Sequence, residues 1–219
     1  MKWMARVAGA LFLVSTAAYL IGSGLLNPVL QQSEFLEGLA ASRTNIVAGL
    51  LLELINAIAV LGIGMLLYPI LRKHHEAFSL GYFGSRIIES AILIISLAGP
   101  LVLIALGDEY AAAEASDRSY LQAIANAAAD AHYMLFELAM AVLSIGSLLF
   151  CYVLYRSKLV PRVLSAIGFI GYGGLLTSSC LAIAGIDTGA VLYIPGAIFE
   201  IVLPLWLLIK GVDPRAEKS

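Results

Sequence analysis

Charge is scarce in this chain: 13% of its 219 residues are Asp, Glu, Lys or Arg, where a soluble domain carries roughly a quarter. Hydrophobic residues make up 61%, more than a single water-facing globule of this size can hide, so lipid must solvate much of the surface. No basic stripe interleaved with aromatics is present, and nucleic acid is excluded as a partner. Walker, GxSxG and dinucleotide-binding patterns are missing, and no cofactor is expected. Histidine is limited to His74, His75 and His132. Without HExxH, and with His132 the sole histidine at membrane depth, neither a dedicated zinc site nor bis-His haem is expected. The two cysteines, Cys151 and Cys180, fall at opposite ends of adjacent apolar runs. Helical rise puts them roughly 25 Å apart, against the roughly 7 Å that a disulfide tolerates, so both are expected to be free.

Long apolar runs are what the chain has in abundance. Six of them, at 5–24, 45–70, 80–106, 131–155, 163–184 and 189–210, each reach the length of about 20 residues that spans a bilayer. Hydrocarbon offers no partner to an unpaired backbone N–H or C=O, so the runs must be helices. The polar–apolar alternation of a barrel is absent. Lys2 and Arg6 ahead of the first run resemble a secretory signal, but the run is long and is expected to stay as a transmembrane helix. The fold class is therefore all-α: a polytopic membrane protein of six transmembrane helices in up–down hairpins. Residues 1–211 form one transmembrane domain and 212–219 a short tail.

Lys2, Arg6, Arg72, Lys73, Arg156, Lys158, Arg162, Lys210, Arg215 and Lys218 all fall on one side of such a bundle, against Arg43 and Arg118 on the other. The positive-inside rule then places both termini in the cytoplasm. Asn27-Pro28 reads as a turn after the first helix. Leu26, Val29, Leu36 and Leu39 read as one face of a short interfacial helix. Residues 107–130 are acidic and expected to be a solvated outer face, with Ser119-x-x-Gln122 as a capping box that starts the fourth helix.

Residues 51–73 and 135–157 align without a gap, sharing Glu53/Glu137, Gly62/Gly146, Tyr68/Tyr152 and Arg72/Arg156. Phe199-Glu200-Ile201 in the last run echoes the glutamate position. Each helix that runs inward from the outer side thus carries one glutamate, roughly 10–17 Å deep. Ionisable groups at this depth are expensive and mark function by default. They are Glu53, Arg86, Glu89, His132, Glu137 and Glu200, the candidates for ligand or proton binding. Arg86 and Glu89 form an i,i+3 pair, read either as a structural bridge or as part of a binding site. Arg86 also sits close enough to the interface to snorkel. Pro204 removes the donor for the Glu200 carbonyl, and Pro195 does the same for Val191. Any metal would fall on His132 and Glu137, in a mixed set with Glu53 and Glu200. No catalytic residue is assigned. Ser165, Gly168, Gly171 and Gly174 form a small-residue stripe, read as helix packing and a candidate dimer face.

Several local patterns carry a resemblance: Ala5-Arg6-x-Ala8-Gly9, Arg86-x-x-Glu89, His132-Tyr133, Tyr155-Arg156-Ser157-x-x-x-Pro161-Arg162, and Glu200 followed by Leu205-Trp206-Leu207-Leu208-x-Lys210-Gly211. On these the chain resembles the bacterial integral-membrane family called domain of unknown function 4386. It departs at Ser165, where that family favours glycine after the Pro-Arg pair. The resemblance implies a compact six-helix bundle in a bacterial inner membrane and no assigned activity.

The leading expectation is an acid-lined intramembrane pocket that binds or transports a small cation, a proton or a protonatable solute. At least two of Glu53, Glu137 and Glu200 should line it together with Arg86 or His132. The alternatives are an accessory or assembly subunit, as a homo-oligomer or with a membrane-complex partner, and a membrane-embedded metal-dependent enzyme. The lipid bilayer is the partner common to all three.

Overall fold

The computed structural model describes residues 2–31, 36–186, 189 and 191–212. Six helices are long and apolar enough to cross a membrane, and no strand occurs among the described residues. They are built from α1 (Lys2–Leu30), α2 (Leu39–Leu71), α3 (Glu76–Ser96) with α4 (Ala98–Ala112), α5 (Ala115–Ser157), α6 (Arg162–Ile183), and α7 (Ile194–Ile209) preceded by a 3-10 turn over Val191–Tyr193. The most extensive contacts join α1 to α2, α3 to α5, and α5 to α6, and α7 closes the bundle against α1 and α6. The chain is thus three sequential hairpins. The Cβ of any residue replacing Gly211 would come within 4 Å of Lys2, so both ends of the described chain sit at one end of the bundle.

Local chemistry sets the boundaries. His75 caps α3, its Nδ1 accepting from the Phe78 N–H at 3.2 Å, which supplies one of the donors that a helix start leaves unpaired. Pro161 sits at the N-cap of α6, where its missing N–H does no harm. The third apolar run does not form one helix: it breaks at Leu97, three residues before Pro100. Pro100 has no N–H for the Ser96 carbonyl, and its ring crowds that carbonyl, so the helix restarts as α4.

Three sequence expectations change at the end of the bundle away from the termini. Asn27-Pro28 is not a turn, because α1 runs through it to Leu30. Proline in a last turn keeps a helical φ and forfeits a single hydrogen bond. Leu26, Val29, Leu36 and Leu39 are all buried in one cluster at that end with Leu30, Ile46, Leu50, Leu97 and Leu103, so they form core and not a lipid-facing interfacial helix. Residues 32–35 of that segment lie outside the described residues. The capping box at Ser119 does not form either. The helix starts earlier, at Ala115, and the Gln122 amide donates to Asn126 Oδ1 at 2.9 Å instead. With 43 residues, α5 measures roughly 65 Å and outruns a hydrocarbon layer of about 30 Å. Its overhang carries exposed Glu114, Asp117 and Asp130, the solvated acidic face read from the sequence.

The small-residue stripe of α6 is spent inside the bundle. A Cβ at Gly171 would lie 2.5 Å from the Gly196 backbone nitrogen in α7, and one at Gly168 would meet Cys151 and Phe199. Backbone contact of this kind is how helices associate in lipid. Both cysteines are free, Cys151 buried and Cys180 exposed. Val212 is buried in the main core, so the domain extends one residue into the expected tail. Residues 213–219 lie outside the described set.

Candidate functional site

A cavity of about 320 Å³ opens among α1, α2, α3, α5, α6 and α7. Its floor is set by α3, where Arg86 and Glu89 are 3% and 1% exposed. Spacing of i,i+3 puts both on one helix face. Arg86 Nη1 donates to Glu89 Oε2 at 3.0 Å and to Oε1 at 3.2 Å, while Nε donates to the Tyr82 hydroxyl at 3.3 Å. The guanidinium also lies 5.3 Å from the Tyr82 ring centre and 5.7 Å from that of Phe12, within cation–π range. Nη2 is buried without a hydrogen-bond partner. Arg86 therefore does not snorkel: a carboxylate one turn along, a phenol one turn back and two aromatic faces hold it in the core.

The opposite wall comes from α7, where Glu200 and Gly196 line the cavity. Glu200 Oε1 accepts from the Tyr172 hydroxyl of α6 at 3.2 Å, and Glu200 is within electrostatic reach of both Arg86 and Glu89. From α1 and α2 come Ser15 and Asn56, tied by a 2.6 Å hydrogen bond from Ser15 Oγ to Asn56 Oδ1. Tyr19 stacks on Phe136 of α5 with ring centres 5.1 Å apart, and both rings line the space. The remainder is mostly apolar, including Ile63, Leu93 and Leu143, with hydroxyls from Thr16 and Tyr193. One cation thus faces two carboxyls in a mostly apolar chamber.

The three echoed glutamates do not share this cavity, although Glu53 and Glu137 both lie within electrostatic reach of Tyr19 on its wall. Only Glu200 lines this cavity. Glu53 goes to a second cluster, with its Oε2 3.8 Å from His132 Nε2. The other imidazole nitrogen, Nδ1, is 2.9 Å from the Ser96 carbonyl, the one that Pro100 deprives of a backbone donor. A carbonyl only accepts, so Nδ1 carries the proton and Nε2 faces Glu53. Gly99 makes room for this, since a Cβ there would sit 2.6 Å from the Ala128 carbonyl oxygen and 3.0 Å from His132 Cβ. Glu137 holds one carboxyl oxygen, Oε2, buried without a hydrogen-bond partner. The helices that carry the echo also pack differently. Gly62 of α2 receives Leu11 of α1, while Gly146 of α5 receives Ser85 of α3, so equivalent positions meet different neighbours. No three His, Cys, Asp or Glu side chains come together as metal ligands among the described residues, and the mixed set on His132 and Glu137 is not assembled.

The family model described as Domain of unknown function (DUF4386) matches residues 7–211. The chain belongs to this family. No curated protein matches it, and no solved structure matches it. For a DUF4386 protein, the matched region takes in every residue of the cavity and of the Glu53–His132 cluster. Tyr82 and Tyr172 were not singled out from sequence. Tyr82 was findable, since it precedes Arg86 by one helical turn. Tyr172 was not, since nothing local ties it to a glutamate on the next helix.

Proposed function

We propose that this DUF4386 protein binds a small protonatable solute of the amine class inside the bilayer, as the first step in moving it across. The observation that carries this is the charge balance of the cavity. Arg86 is the one cation, and Glu89 engages it at 3.0 Å. Glu200 is left with a neutral phenol as its hydrogen-bonding partner. Ionised Glu200 is a surplus negative charge in a low-dielectric chamber, and such a charge needs a proton or a cationic ligand. A proton and an amine then compete for the same carboxylate.

The distribution of Lys and Arg supports both termini in the cytoplasm. The accessory-subunit reading keeps its motives of small size and absent motifs, but the α6 stripe packs within the bundle, against α5 and α7. The enzyme reading, with His132 and the glutamates, has no cluster of three candidate metal ligands among the described residues to favour it. The test is amine-driven proton flux in liposomes. Glu200→Gln keeps the Tyr172 hydrogen bond but cannot ionise, and should lower the flux at least about tenfold. Equal flux in wild type and E200Q would sink the proposal.

A further inference from the structure

The rim of the cavity differs from its floor. Arg86 and Glu89 are buried, but Leu20 of α1 and Ile201 of α7 are 62% and 51% exposed, and Ala197 is exposed beside them. All three line the cavity. On a bundle of spanning helices, exposed aliphatic side chains face lipid tails.

The register of α1 against α7 shows where the wall parts. At Gly9 the two backbones touch: a Cβ there would lie 2.8 Å from the Pro204 carbonyl oxygen. About two turns further outward on each helix, roughly 10 Å along, stand Thr16 and Ala197. Both now border open space. Thr16 is also about two turns short of the end of its apolar run at Gly24, so the gap lies within the hydrocarbon layer. The volume adds a second constraint. About 320 Å³ is at the small end of ligand sites, enough for a head group and the start of a chain.

On the reading that Glu200 receives an amine, we infer that the solute is a single-chain cationic amphiphile that enters sideways from the bilayer between α1 and α7. Its amine reaches Glu200, and its alkyl chain leaves across Leu20 and Ile201 into lipid. A hydrophilic ion has no reason to approach through hydrocarbon, whereas an alkyl amine concentrates there with its chain already in place. A long chain needs no internal room, because the tail never leaves the membrane.

The experiment uses the full chain in lipid nanodiscs, with empty nanodiscs subtracted. A long-chain and a short-chain primary alkyl amine each compete against a fluorescent amine. Ala197→Trp fills the slot, and Ile201→Trp repeats the test at a second exposed position should the first variant misfold. Either variant should weaken the long-chain amine about tenfold and the short-chain amine far less, giving a clear change in the ratio of affinities. An unchanged ratio in a folded variant overturns lateral entry while leaving the amine site standing. The site itself is reported by E200Q. If E200Q binds both amines as tightly as wild type, or wild type binds neither, the amine reading falls and the slot falls with it.

Discussion

A buried guanidinium gains little unless its charge is matched, and that is the state of Arg86. Its partner Glu89 stands one turn away on the same helix, both nearly inaccessible. Taking two charges out of water is expensive, and their mutual attraction returns roughly what desolvation cost. The pair should therefore matter to stability in an asymmetric way. Glu89→Ala removes the carboxylate that hydrogen-bonds the cation, leaving only the more distant Glu200, and should cost up to about 3–5 kcal/mol. The double variant Arg86→Met, Glu89→Met removes both charges, keeps the volume, and should cost much less. Unfolding in mixed micelles measures both. A double variant as unstable as the single would show that Arg86 supports the fold through its contacts with Tyr82 and Phe12 instead.

At the scale of elements, the break between α3 and α4 links a proline to a histidine on another helix. Pro100 leaves the Ser96 carbonyl without a backbone donor, and His132 Nδ1 supplies one at 2.9 Å. An unsatisfied buried carbonyl costs about 1–3 kcal/mol, so His132→Leu should destabilise by that amount. Pro100→Ala restores an N–H, and α3 can then continue through Leu97. In that background His132→Leu should cost clearly less, a coupling that a double-mutant cycle reads directly. Equal costs in both backgrounds would separate the histidine from the break. The same element shows why some of the site was legible in sequence and some was not. Arg86-x-x-Glu89 is a local pattern, and its pairing followed from helical spacing alone. The echo of Glu53, Glu137 and Glu200 is also local, but where each carboxyl ends up depends on the helix facing it. Which helix that is, only tertiary packing decides.

At the scale of the molecule, hydrophobic run length was enough to find the six spans, because the bilayer imposes one length on every crossing. It could not place the ends of α1 and α5, which continue beyond that layer on the strength of contacts in the cluster around Leu26 and Leu103. Orientation rests on a separate physical rule, the retention of Lys and Arg on the cytoplasmic side. The fold places Gly211 beside Lys2, so one measurement on any loop fixes the whole bundle. Single cysteines replacing Lys73 and Lys158 probe the end rich in cations, and one replacing Asp117 probes the acidic overhang of α5. With Cys180→Ala removing the exposed native thiol and Cys151 left buried, a membrane-impermeant maleimide added to intact cells should label only the Asp117 position. The other two should react once the membrane is opened. The reverse pattern would put the acidic overhang in the cytoplasm. The slot between α1 and α7, which lies in the half of the bundle nearer that overhang, would then open to the inner leaflet instead of the outer one.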